Sequence, residues 1–291
     1  MNPVRAEPVE ALPAECDLLV VGSTRTYSIA QLIALHYTPP QLVQLTADIG
    51  CGACGIRILP AAPGGVHHAL MHDAAMLRET QARMRDSGVR VLDLEIIRID
   101  AAFEATAYGA FFEVGAALNA RHILVAGDDA DVNRMSANFA ALCDAAAPFG
   151  LSCDLEPMPW RPVASVPDAT RIVEGAGRPN GAVLVDALHF FRSASTLDDV
   201  KKLPRTLLNY AQMCDGMVPG PTTKEGLIHD ARCERLLPGE GGFDLKALFG
   251  ALPADLPVSI EIPSKTRAPK MGCEAWARAA LAATRRVLEG E

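Results

Sequence analysis

The chain has no concentrated basic segment, no long apolar run and no cysteine framework. Its formal net charge is −8 over 291 residues, and its Lys and Arg residues are scattered. Neutralising phosphates needs a dense cationic surface, so a nucleic-acid partner is not expected. No stretch of about 18 uncharged apolar residues occurs, so no membrane span is expected. The opening segment MNPVRAEPVEALPAE has no apolar core of the kind a secretory signal requires. The 8 cysteines show no framework spacing, and Cys143 and Cys153 sit inside apolar runs; both facts fit reduced thiols in a cytoplasmic protein. Cys51-Gly-Ala-Cys54 stands without a second CxxC that would complete a zinc site, so small-residue packing is the reading there. His67, His68 and His72 lie before or on a helical stretch and read as surface or supporting residues.

Short β-rich runs alternate with longer helical stretches. The expected strands are Ile29–Leu35, Cys54–Leu59, Arg90–Ile97, His122–Ala126, Leu151–Met158, Ala182–Asp186, Leu208–Gln212 and Val258–Ile262. Helical segments are expected near 39–50, 67–87, 107–120, 131–149, 168–177, 196–203, 225–234 and 271–289. Strand–helix alternation means βαβ units and a parallel sheet, and this many units in one chain predict a single-domain α/β fold, a (β/α)8 TIM barrel over residues 26–291. An open doubly wound sheet would want a Gly-rich phosphate loop after its first strand, and Leu35-His-Tyr-Thr-Pro-Pro40 is not one. Thr38-Pro39-Pro40 reads as a helix cap followed by its first turn. Gly88, Gly150 and Gly181 each precede a strand, where a left-handed residue is expected to end the helix. Residues 1–25 have little periodicity and read as an extension; the apolar run Leu18–Val21 is too short to count as a strand. A long Gly/Pro-rich segment at 216–245, with helical character near 225–234, is a functional-loop candidate.

Four of the apolar runs end in an oxygen donor: Glu156, Asp186, Gln212 and Glu261. In a parallel barrel all strand C-termini open into one mouth, so these four ends predict an oxygen-rich centre. Side-chain alternation supports it: Asp93 with Glu95, Asp154 with Glu156, and Ser259 with Glu261 share inward faces, while their neighbours face the helices. Asp93 and Asp154 then lie deep, where hydrogen bonds are expected to satisfy them. The competing reading is that strand-end carboxylates cap the following helices.

The motifs resemble those of the sugar phosphate isomerase/epimerase group, the xylose isomerase-like barrels that include ketose 3-epimerases and 3-dehydroshikimate dehydratases. The resemblance is carried by Leu155-Glu156-Pro157, Asp186-Ala-Leu-His189 with Arg192-Ser193, Gln212-Met-Cys-Asp215, Arg235-Leu-Leu-Pro-Gly-Glu-Gly241 and Ile260-Glu261, with Gly55-Ile-Arg57 and Leu94-Glu95 beside them. It spans about residues 28–289. It implies a divalent cation on Glu156, Asp186, Gln212 and Glu261, with Glu156 and Glu261 moving a proton next to a carbonyl through an enediolate. Gln212 stands where many members have His. An all-oxygen set favours Mg2+ or Mn2+ over Zn2+. His189, Arg235, Glu95 and Arg57 are implied or plausible substrate contacts, and Trp160 a wall of the mouth. The expected activity is isomerase or epimerase action on a sugar or related polyol or keto compound, a small-molecule substrate. The alternatives are a lyase of the dehydroshikimate dehydratase type and a non-catalytic barrel. A homo-oligomer is compatible with all three.

Overall fold

The computed structural model describes residues 25–290, so the expected extension, including Leu18–Val21, lies outside the described residues except for Arg25. Nine strand segments form one sheet: β1 Tyr27–Ile29, β2 Ala53–Arg57, β3 Arg90–Ile99, β4 His122–Gly127, β5 Ser152–Glu156, β6 Gly181–Val183, β7 Val185–Asp186, β8 Ala211–Met213 and β9 Val258–Ile260. All pairings are parallel, in the order β6-β5-β4-β3-β2-β1-β9-β8-β7. β6 and β7 are the two halves of the expected sixth strand, parted at Leu184, whose N–H still donates to the Leu155 carbonyl at 3.0 Å. The result is a nearly closed TIM barrel, a single domain with helices between its strands.

The side-chain alternation holds on β5 and β9, but β3 departs from it: register irregularities place Leu92 and Ile96 in the inner cluster instead of facing the helices. Ile29, Leu155, Val183 and Ile260 face outward into one large core with the helices, which contribute Leu42, Phe111, Phe139 and Trp276. Trp276 is fully buried and its indole N–H donates to the Ile262 carbonyl at 2.8 Å. The inward faces hold a smaller apolar cluster that includes Leu92, Leu124, Leu184 and Tyr210. Asp93 and Asp154 are buried as polar residues. Asp154 is satisfied as expected, accepting from the Ser152 hydroxyl at 2.8 Å and the Asn209 amide at 3.0 Å. Asp93 is not: neither oxygen has a hydrogen-bond partner among the described residues. A Cβ on Gly55 would stand 2.7 Å from Asp93 Oδ1, so only glycine leaves room for this carboxyl on the neighbouring strand. Burial, then the charges of Glu95 and Glu261, raises Asp93 well above the usual carboxyl range.

Four details differ from the expected pattern. The first strand ends at Ile29, and Gln31–Ala34 form a 3-10 turn in which the Gln31 amide donates to the Tyr37 carbonyl at 2.9 Å. The helix expected from residue 67 starts at Ala74, because Asp73 caps it by accepting from the Met76 N–H at 2.9 Å. Gly88 and Gly150 are left-handed as expected, but Gly181 is the first residue of β6, and Gly177 ends the preceding helix instead, at φ 61°. Two short helices, Ala187–Arg192 and Leu245–Ala251, fall where none was expected. Cys51 and Cys54 are buried, and burial raises both thiols, which suits packing. His67 and His72 are exposed and His68 half-buried. No helix among the described residues is long and apolar enough to cross a membrane.

Candidate active site

Strand register assembles the site. Arg57 and Glu95 are partners across β2 and β3, Asp186 and Gln212 across β7 and β8, and Gln212 pairs with Ser259 of β9. Glu156 closes β5, and Glu261 follows β9 directly. With inward alternation, these side chains meet at one end of the barrel. Arg57, Glu156, His189, Arg235 and Glu261 line one small cavity together with Trp160. Glu95 stands behind Arg57, accepting from its Nε at 2.7 Å. Asp186 and Gln212 are buried beside Arg235 and Glu156.

Arg235 organises the carboxylates. It is 2% exposed, donates to Asp186 Oδ2 at 2.6 Å, and reaches Glu261 Oε2 at 2.8 Å. Its Nε donates to the Ala231 carbonyl at 2.9 Å, which fixes the guanidinium plane. Arg57 stands 4.0 Å from Glu261 on the other side. Asp186 also has a capping role: its Oδ1 accepts from the His189 N–H at 2.9 Å and starts the helix Ala187–Arg192. This carboxylate therefore caps a helix, as the competing reading had it, while its other oxygen faces the buried cluster.

The electrostatics follow from this layout. Burial pushes Glu156 well above the usual carboxyl range, and Asp186 and Glu261 add to the push. Burial likewise takes Glu261 up to about 7, with Arg235 opposing and Glu95 and Asp186 reinforcing. Burial also works against the charge on Asp186, but Arg235 and His189 hold it below the ordinary aspartate value. His189 is lowered to about 4 by burial, so its ring is neutral near pH 7. Its Nδ1 is buried with no partner among the described residues, and its ring meets Trp160 edge-on at 5.0 Å.

Two observations bear on a cation. Four buried carboxyl groups, Glu95, Glu156, Asp186 and Glu261, face two buried guanidiniums, Arg57 and Arg235, so protons on the raised pair Glu156 and Glu261, or a divalent cation in their place, would balance the charge. The Gln212 amide faces Glu156 Oε1 at 2.8 Å and Asp186 Oδ2 at 3.2 Å with its oxygen; turned over, its NH2 would donate to both. The second orientation satisfies both carboxylates within the protein, while the first gathers three oxygens that a proton on Glu156 or a cation would reconcile. Donor atoms of Glu156, Asp186 and His189 also lie within 4.8 Å of one another. The residues present fit a divalent cation.

The segment after β8 closes over this centre and is less irregular than its composition implies. It contains the helix Lys224–Cys233. Asp215 ties it down, accepting backbone N–H bonds from Gly216, Gly239, Gly241 and Phe243 at 2.8 to 3.2 Å. Arg161 and Arg232 also line the opening; Arg232 belongs to the 216–245 loop candidate, whereas Arg161 was not ranked with the site. Arg161 follows Trp160 on the loop after β5, and that position was the available signal.

Comparison with known proteins agrees with this geometry. A family model described as xylose isomerase-like TIM barrel matches residues 43–287. The chain belongs to that family. No curated protein matches the sequence. Among solved structures, the IolI protein with a bound zinc atom superposes at TM-score 0.73 and 18% identity, over 91% of this chain and 98% of that one. A xylose isomerase domain protein from Salmonella typhimurium LT2 gives TM-score 0.73 at 14% identity, over 91% and 98%. D-psicose 3-epimerase, solved in the presence of D-fructose, gives TM-score 0.67 at 15% identity, over 90% and 99%. At such identities these likenesses speak for the fold.

Proposed function

We propose that this family member is a divalent-metal-dependent isomerase or epimerase that moves a proton next to the carbonyl of a small hydroxy-carbonyl compound. The observation that carries the reading is the pair of buried carboxylates, Glu156 and Glu261, opening into one cavity with a neutral histidine and two guanidiniums. Family membership and the fold shared with a sugar epimerase support it.

Glu156, Asp186, Gln212 and Glu261 would hold the ion, with His189 the further donor next to them. Mg2+ or Mn2+ suits the oxygen-rich set best, and Mn2+ also accepts an imidazole. The ion's contribution is Lewis-acid polarisation of the substrate carbonyl and stabilisation of negative charge on its oxygen. The residues do the rest. One glutamate takes the proton from the carbon next to the carbonyl, leaving an enediolate. In epimerisation the second glutamate, protonated at the outset, gives its own proton to the opposite face and inverts that carbon; in isomerisation the first glutamate returns its proton to the neighbouring carbon while the hydroxyl proton passes between the two enediolate oxygens, shifting the carbonyl. His189, neutral and lining the cavity, is placed to meet a substrate hydroxyl. Trp160 and the segment after β8 narrow the opening and exclude water. Arg235 keeps Asp186 ionised and fixes the direction of Glu261.

The test is proton exchange. A panel of ketoses, ketose phosphates and hydroxy-keto acids is incubated in D2O with Mn2+, and loss of the C–H signal next to the carbonyl is followed by NMR. At least one compound is expected to exchange in a Mn2+-dependent way. Exchange in none, or exchange indifferent to Mn2+, would contradict the proposal.

A further inference from the structure

The cavity at the carboxylates is small, about 50 Å3. Sites that enclose small organic molecules run to about 300–1,000 Å3, so a ligand reaching Glu156 must extend elsewhere. A second cavity of about 460 Å3 adjoins it, and the two share Leu32 and Arg232 in their walls. The larger one is walled mainly by apolar residues, among them Ile33, Leu35, Val66, Pro263 and Pro269. Its charged or titratable wall residues include Arg232, Lys265 and His36, and no carboxylate lines it.

Arg232 is the unusual member of this wall. It is half-buried and also borders a third opening, beside Arg98 and Arg161. Its cationic neighbours have counterions: Arg57 bonds Glu95, and Arg98 and Arg161 share Asp128. Among the described residues Arg232 has neither a hydrogen bond nor an ion pair. A guanidinium carries five N–H donors, and a half-buried one that borders three openings with no protein partner is free to exchange its water for a ligand anion. Burial, then repulsion from Arg161, Arg57 and Arg98, lowers its proton affinity, so an anion arriving there relieves an existing cost.

We propose that the ligand of this barrel is an anionic hydroxy-carbonyl compound whose carboxylate or phosphate is held by Arg232 at the junction of the two cavities. Its carbon body occupies the larger, apolar chamber, and its carbonyl end reaches Glu156 and Glu261. Only the placement of that carbonyl end rests on the proton-transfer reading; the anion site rests on Arg232 and the chamber. An uncharged sugar would leave the guanidinium without a counterion.

Binding is measured by calorimetry, without turnover, on wild type, Arg232→Gln and Arg232→Lys. The probes are D-fructose 6-phosphate, phenylpyruvate and D-fructose, each with and without Mg2+. At least one anionic probe is expected to bind wild type about tenfold or more tightly than D-fructose, and the better one tells phosphate from carboxylate. Arg232→Gln is expected to weaken that probe by about tenfold or more, the effect of losing charge-assisted hydrogen bonds, while Arg232→Lys retains part of the affinity. The melting temperature of Arg232→Gln is expected to equal or exceed that of wild type, since an unpaired cation leaves a cationic cluster. Equal binding of D-fructose and the anions, undiminished anion binding by Arg232→Gln, or no anion binding to wild type at about 50 mM would overturn the proposal. Failure of proton exchange in D2O with anion binding intact would count against the catalytic reading alone.

Discussion

Replacing Glu261 by Gln is expected to lower proton exchange by about 10²–10⁴-fold, the usual contribution of a general base, and by more if the cation is weakened as well. The amide keeps the size of the carboxylate and one ligand oxygen but accepts no proton at neutral pH. The fold should survive. Arg235 keeps its bond to Asp186 at 2.6 Å, and Arg57 keeps Glu95. Glu261 is raised to about 7 within the folded protein, so the native state holds a proton there that the unfolded chain has released. Such a group lowers stability as pH rises from the ordinary glutamate range through about 7, because the native state binds more protons across that window. The metal-free variant, which cannot ionise at this position, should therefore be as stable as wild type or more so above that window. Exchange by the variant at the wild-type rate would remove Glu261 from the role of base and leave Glu156 as the candidate.

Arg235→Met is expected to have the largest effect on stability. The guanidinium is the shared counterion of Asp186 and Glu261 and is buried with them. Breaking a buried ion pair by removing one partner costs about 3–5 kcal/mol, because the remaining charges are left uncompensated. The sign with pH is defined. In wild type Asp186 is held below its ordinary value, so it stabilises the fold above that range and the benefit is lost on acidification. Without Arg235 burial dominates and the carboxyl rises, which reverses the contribution: stability then falls as pH increases. The gap between variant and wild type in urea denaturation should be wider at about pH 8 than at about pH 5, and added Mn2+ should narrow it by replacing part of the missing charge. A variant within about 1 kcal/mol of wild type at the higher pH would mean that the pairs are not the counterion system described.

Glu156, Asp186, Gln212 and Glu261 were readable because strand ends in a parallel barrel share one rim, and side-chain alternation is a local property of sequence. The first strand was misplaced because its boundary is set by pairing of Tyr27–Ile29 with β9 and of Ser28 and Ile29 with β2, while Ile33 and Ala34 are apolar for a different reason, packing from a 3-10 turn. The helix Ala187–Arg192 was missed because its cap is the same Asp186 that reads as a site residue. Arg235 was legible as a mouth residue, but not as the partner of two carboxylates, since ion pairs spanning 49 and 26 residues of chain depend on how the segment after β8 folds back. Asp93 shows the limit most clearly. Its inward face follows from alternation, whereas its lack of a hydrogen-bond partner among the described residues depends on where Gly55 leaves space on the next strand.

The central claim is that the strand-end donors form one divalent-cation site, and Mn2+ binding followed by electron paramagnetic resonance of the free ion tests it most directly. Metal-stripped wild type is titrated alongside Asp186→Ala and, as a surface control, His67→Ala. The account predicts one Mn2+ per chain for wild type and the control, with binding lost in Asp186→Ala. No binding by wild type, or binding that Asp186→Ala leaves unchanged, would contradict it.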